Sequence, residues 1–209
     1  LRPAEKANRS YVMSMVSRLK QAIPNVKVIY NQDEFNKVAE KEGGTQLDRG
    51  FVAKGGVIYL NPSTVTKDTA IHEFGHIYVS ALRISENEQD RALYKKGIEL
   101  IKDTEYDDYV KEFYPEKSRD KQLEEALVQA IGERGANIFD AQKKNLVTSY
   151  VNELMNYIKS IMGIRPEVDI QNVNLETFLD YSAKSLLAGQ ELNVIKGLVN
   201  QKAARIAKE

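Results

Sequence analysis

Apolar residues recur three and four positions apart at Val12, Met15, Val16, Leu19, Ala22 and Ile23. This is the spacing of a one-faced helix over residues 11–23. Pro24-Asn25 stops it, and residues 26–30, β-branched and aromatic, predict a short strand. Asp33 stands where it caps a second short helix carrying Phe35, Val38 and Ala39 on one side. A polar, glycine-containing loop follows over residues 41–50. Residues 51–54 and 57–60 then predict two strands joined by a two-residue turn, with Gly55-Gly56 supplying the positive φ that such a reversal requires.

From about Thr66 the period changes to that of a helix, with Ala70, Ile71, Phe74, Ile77, Tyr78, Ala81 and Leu82 as its apolar set. Beyond Asn87 the pattern is almost wholly helical. One helix carries Leu93, Tyr94, Ile98 and Ile101, and a short one carries Tyr106, Tyr109, Val110 and Phe113 before Pro115. Another carries Leu123, Ala126, Leu127, Ala130 and Ile131, with Gly132 as its expected end. A long amphipathic helix is expected over 142–162, then an extended connection at Arg165-Pro166. Asn174 is placed to cap a helix with Phe178, Leu179, Leu186 and Leu187, and a last helix runs through Leu192 to Val199. The fold class expected is α+β: a small antiparallel sheet preceding a central helix inside a mainly helical body. Residues 1–135 are expected to hold the chemistry, with 136–209 a helical extension packed on the same domain.

Composition narrows the function. The 209 residues hold 30 Lys+Arg against 30 Asp+Glu, a formal net charge of zero, so no basic excess calls for nucleic acid. No apolar run reaches the roughly 18–20 residues that span a bilayer, and the polar opening residues do not resemble a secretory signal. An excised domain of a longer chain is the expected origin, in the cytoplasm or a virion. There is no Cys and there are only two His. Thiolate metal sites, disulfides and cysteine nucleophiles are excluded.

Both histidines fall in one pentapeptide, His72-Glu73-Phe74-Gly75-His76, inside the segment already read as helical. An i, i+4 pair projects from one helix face, close enough for both imidazoles to reach one metal ion. Glu73 is rotated off that line, beside the metal rather than on it. There it is expected to act as general base towards a water that zinc has acidified. A catalytic zinc usually has three protein ligands, so with no other His or Cys the third must be a carboxylate. The pair Glu124-Glu125 on the downstream apolar helix is the leading candidate. Helical periodicity alone places Glu124 nearer the apolar stripe.

The pattern H-E-F-G-H, followed by a helix with E-E-x-x-x-x-A-x-G, resembles the glutamate-zincin metallopeptidases (gluzincins). More narrowly, it resembles zincin-like domains of phage and mobile-element polyproteins. The resemblance covers roughly residues 57–132. It implies Zn²⁺ held by His72, His76 and Glu125, with Glu124 the alternate, because Val128, Ile131 and Gly132 follow Glu125 at the family's offsets. It also implies that residues 56–62 form a strand along the cleft, able to pair with an extended peptide.

The expected activity is therefore zinc-dependent endopeptidase hydrolysis of a peptide or protein substrate. The alternative is a catalytically dormant zinc-binding structural or cargo module of a larger phage-type protein. In either case the chain is expected to belong to a polyprotein or virion assembly, with no membrane or nucleic-acid partner. Tyr106, Tyr109 and Tyr114, preceding the ligand helix, form the pool for an oxyanion stabiliser. Asp107-Asp108 and Asp33-Glu34 read as helix-start or surface charges.

Overall fold

A computed structural model describes residues 4–143 and 170–206. The expected helix over 142–162 beyond Lys143, the Arg165-Pro166 connection and the extreme basic tail lie outside the described residues. Within them are eight α-helices and a three-stranded sheet, so the architecture is α+β and mainly helical. No described helix is long and apolar enough to cross a membrane.

Helix α1 (Arg9–Ala22) buries the six apolar positions Tyr11, Val12, Met15, Val16, Leu19 and Ala22, and Asn8 caps it by accepting from the Tyr11 N–H at 2.9 Å. Strand β1 (Val28–Tyr30) follows, then α2 (Gln32–Ala39). Asn31, not Asp33, caps α2, accepting from the Glu34 N–H at 3.0 Å; Asp33 sits inside the first turn.

Strands β2 (Gly50–Val52) and β3 (Ile58–Leu60) form an antiparallel hairpin. Its reversal holds three residues, Lys54, Gly55 and Gly56, between the bonded Ala53 N–H and Val57 C=O (2.8 Å); both glycines have positive φ. Lys54 therefore belongs to the turn rather than to the strand. The sheet is mixed, not purely antiparallel, because β1 pairs with β3 in parallel, Val28 opposite Ile58. The order β1-β3-β2 puts β3 in the middle. The chain passes through α2, the loop after it and β2 before the hairpin returns it as β3, parallel to β1, a non-local outcome that no single-strand pattern encodes.

Helix α3 (Thr69–Ile84) crosses beneath the sheet. It starts three residues later than the expected Thr66, because Thr66 donates its N–H to Thr69 Oγ1 (2.9 Å) and its hydroxyl to Asp68 (2.6 Å). These bonds hold 66–68 as a turn ahead of the helix. The antiparallel bridge Lys6–Thr66 ties the first described residues to the same point.

Helices α4 (Glu88–Ile101), α5 (Glu105–Phe113) and α6 (Arg119–Lys143) complete the bundle, with α7 (Leu175–Leu187) and α8 (Asn193–Ile206) beyond. Helix α6 passes through Gly132 without ending. Gly132 and Gly135 serve approach rather than termination: a Cβ on Gly132 would meet His72 Cβ at 3.3 Å and Asp68 O at 3.4 Å. On the α3 side, a Cβ on Gly75 would meet Val128 Cγ1 at 3.2 Å. This close-packing role outweighs the ~1 kcal/mol that each glycine costs a helix interior. Helix α6 continues across position 135, and α7 packs against it, with Arg134 bonded to Asp180 at 3.0 Å and to Glu176.

Candidate metal centre

Helix α3 buries Ile71, Phe74, Tyr78 and Leu82 on its inner face and turns His72 and His76 towards α6. Their rings lie edge to face, with centroids 4.9 Å apart and Nε2 atoms 3.2 Å apart. From α6, Glu125 places Oε1 3.1 Å from His72 Nε2 and Oε2 3.4 Å from His76 Nε2. The donor atoms of the three residues all lie within 4.8 Å of one another. A tetrahedral zinc site with bonds of about 2.0–2.1 Å has edges of roughly 3.3–3.4 Å. The Nε2–Nε2 separation and the shorter Glu125 contact lie near that figure, the two Glu125 contacts being made by different oxygens. His72, His76 and Glu125 are thus placed to hold a metal ion.

Glu124 points elsewhere. Its Oε1 accepts from Arg83 at 3.0 Å and from the Tyr94 hydroxyl at 2.6 Å. Periodicity misassigned the pair because α6 has no single stripe: residues 125–128 are buried in succession, among contacts with α3, α4, α5 and α7. Glu125, the glutamate periodicity placed towards the polar side, is the one that faces the histidines.

Glu73 is buried, and Gly50 of β2 packs directly on it. A Cβ at Gly50 would lie 3.2 Å from Glu73 Cγ, 3.1 Å from Thr69 Cγ2 and 3.0 Å from the Tyr59 carbonyl oxygen. Burial lifts the Glu73 carboxyl to about 7; Glu125 and Asp48 add to the rise, while His72 and Lys117 oppose it. Burial, the largest single influence, disfavours charge on His72, but the hydrogen bond to Glu125 and the charges of Glu125, Glu73 and Asp68 together raise the ring to about 9. Burial and the neighbouring His72 charge lower His76 to about 4. Burial works against ionised Glu125 as well, yet the His72 bond and the charges of His72, His76 and Lys117 hold it well below the usual carboxylate range.

These groups open into a cleft of about 1610 Å³. Residues 50–52 of β2 line it, but β3 does not. The strand expected along the cleft is therefore not the one found there: β3 is paired on both sides, and the sheet edge facing the site is β2. Tyr106, Tyr109 and Tyr114 all line the cleft. Tyr106 donates to Glu133 at 2.9 Å, and Tyr109 packs on Phe113 with ring centroids 4.5 Å apart. Burial, reinforced by Glu125, pushes the Tyr114 hydroxyl up to about 12.

Two contributors had no sequence signal. Lys117, in the connector between α5 and α6, lies 3.6 Å from Glu125 Oε2. Asp107 stands in the first turn of α5, as a helix-start charge would, but is fully buried rather than on the surface, accepting from Arg119 at 2.5 and 2.6 Å and from the Asp103 N–H at 2.9 Å. It clamps the start of α5 to the start of α6. A single lysine in a connector and one acid of a pair have no periodic context, so only the tertiary contacts reveal them.

No protein-family model matches the chain, and no curated protein or solved structure matches it.

Proposed function

We propose that this protein is a zinc-dependent endopeptidase with a zincin-like catalytic domain, of the type whose third ligand is glutamate. The observation that carries the reading is the triangle of His72 Nε2, His76 Nε2 and the Glu125 carboxylate at 3.1–3.4 Å, with a buried Glu73 beside it. Zinc held by these residues would polarise a substrate carbonyl and acidify water.

The chain's own residues would do the rest. Glu73, buried beside the histidines, takes a proton from the attacking water and returns it to the departing amine nitrogen. The edge of β2 offers main-chain N–H and C=O groups to an extended peptide lying in the cleft. Gly50, having no side chain, lets that edge approach Glu73 closely, so the peptide and the base share one wall.

Purified protein should carry about one zinc per chain, and Glu73→Gln should keep the metal while losing hydrolysis of an unbiased peptide library. Zinc-replete protein that stays metal-free sinks the proposal. Zinc without cleavage of any peptide would instead favour the dormant module.

A further inference from the structure

Among the described residues, three cations line the cleft: Arg49, Lys67 and Lys117. Lys67 is tied to Glu5 at 2.8 Å and Asp140 at 3.1 Å. Lys117 stands against Glu125, the carboxylate that faces both histidines. Its contact with Glu125, at 3.6 Å, is long against the ~2.7–2.9 Å of a committed charge-assisted bond. One third of its side chain is exposed. The ammonium also sits 4.3 Å from the centroid of the Tyr114 ring, which gives it a face to rest on without consuming its donors.

The connector that carries Lys117 is braced at both ends. Gln122 donates to the Tyr114 carbonyl at 2.9 Å, the Lys117 N–H bonds the same carbonyl at 3.1 Å, and Arg119 is locked on Asp107. A cation held this way is preorganised on the open side of the centre.

Resting on the peptidase reading, we propose that Lys117 is a further catalytic residue, whose ammonium stabilises the negative charge developing on the carbonyl oxygen of the scissile bond. As the oxygen of water bonds to the carbonyl carbon, the π pair moves to the carbonyl oxygen, beside Lys117, and Glu73 takes the proton. When the carbonyl re-forms, the C–N bond breaks and that proton goes to nitrogen, leaving a carboxylic acid and an amine; the acid then passes its own proton to the amine or to solvent. Lys117 keeps its own protons throughout.

The test uses zinc-loaded wild type, Lys117→Met and Lys117→Arg. Methylphosphonate probes a tetrahedral anion, and imidazole probes access to the metal without charge. Lys117→Met should keep its zinc and its imidazole affinity while binding methylphosphonate about 10- to 100-fold more weakly, with Lys117→Arg recovering most of the loss. On any peptide that the wild type cleaves, kcat of Lys117→Met should fall about 10²- to 10³-fold with KM little changed. Equal methylphosphonate binding by wild type and Lys117→Met overturns the proposal. So does a parallel loss of imidazole and methylphosphonate, which would make Lys117 a support for Glu125. Unchanged cleavage by Lys117→Met removes this inference alone; a zinc-loaded wild type that cleaves nothing removes the peptidase reading and this one with it.

Discussion

Gly135 of α6 lies so close to Ile71 of α3 that a Cβ on the glycine would stand 1.9 Å from Ile71 Cδ1. Ile71 is fully buried and precedes the first histidine of the centre. Gly135→Ala should gain about 1 kcal/mol of helix propensity and lose more than that to overpacking, a net cost of about 1–2 kcal/mol. Ile71→Val removes the clashing methyl, so the double variant should be more stable than Gly135→Ala alone. Urea unfolding of the four proteins in the cycle reads this coupling; strict additivity would contradict it.

Gly50→Ala addresses the other wall. The new methyl would press on the Tyr59 carbonyl, Thr69 and Glu73 at 3.0–3.2 Å, moving β2 away from α3. Zinc content should be retained while peptide hydrolysis falls by about tenfold or more, since small misplacements of a base cost rate steeply. Parallel metal and activity assays decide it; full activity would show that the strand yields without moving Glu73.

Adjacent glutamates should separate cleanly. Glu125→Gln should lose zinc at concentrations that saturate the wild type. Glu124→Gln should keep the metal and lose about 1 kcal/mol of stability, through weaker bonds to Arg83 and Tyr94. Zinc loss from Glu124→Gln with retention in Glu125→Gln would reverse the assignment.

The Asp107 clamp has a pH signature. Its hydrogen bonds to Arg119, opposed by burial and supported by the Asp103 N–H and Lys111, hold the carboxyl well below its usual value. A depressed folded-state pKa stabilises the protein above the unfolded value near 4, and the contribution is lost as pH falls through the folded one. Asp107→Asn should therefore flatten the acid limb of stability below about pH 4 and cost most at neutral pH. Asp107→Ala should cost about 1–3 kcal/mol, because it removes the acceptor of Arg119 and of the Asp103 N–H, while the half-exposed Arg119 stays solvated. Thermal melts across pH 2–7 test both.

How much of this was readable along the chain depended on how local each cause is. His72, Glu73 and His76 are fixed by helical geometry over five residues, and the forced carboxylate ligand by composition. Which glutamate faces inward was not accessible to periodicity, because a helix buried on several sides has no stripe to read. Gly132 resembles a helix stop in sequence and acts as a packing surface in space. The parallel pairing of β1 with β3 depends on the 27 residues between Tyr30 and Ile58, and Lys117 on a connector held by Asp107 and Gln122. None of these leaves a mark within one element.

The edge of the sheet at the cleft is only three residues long, Gly50–Val52, about 10 Å of strand. On the proposed function, a substrate would be gripped through its main chain over a few residues and left free beyond them. A folded partner could present such a stretch only where its own backbone is already unpaired, in a loop or an interdomain linker. The shape of the target, more than its sequence, would then decide where it is cut.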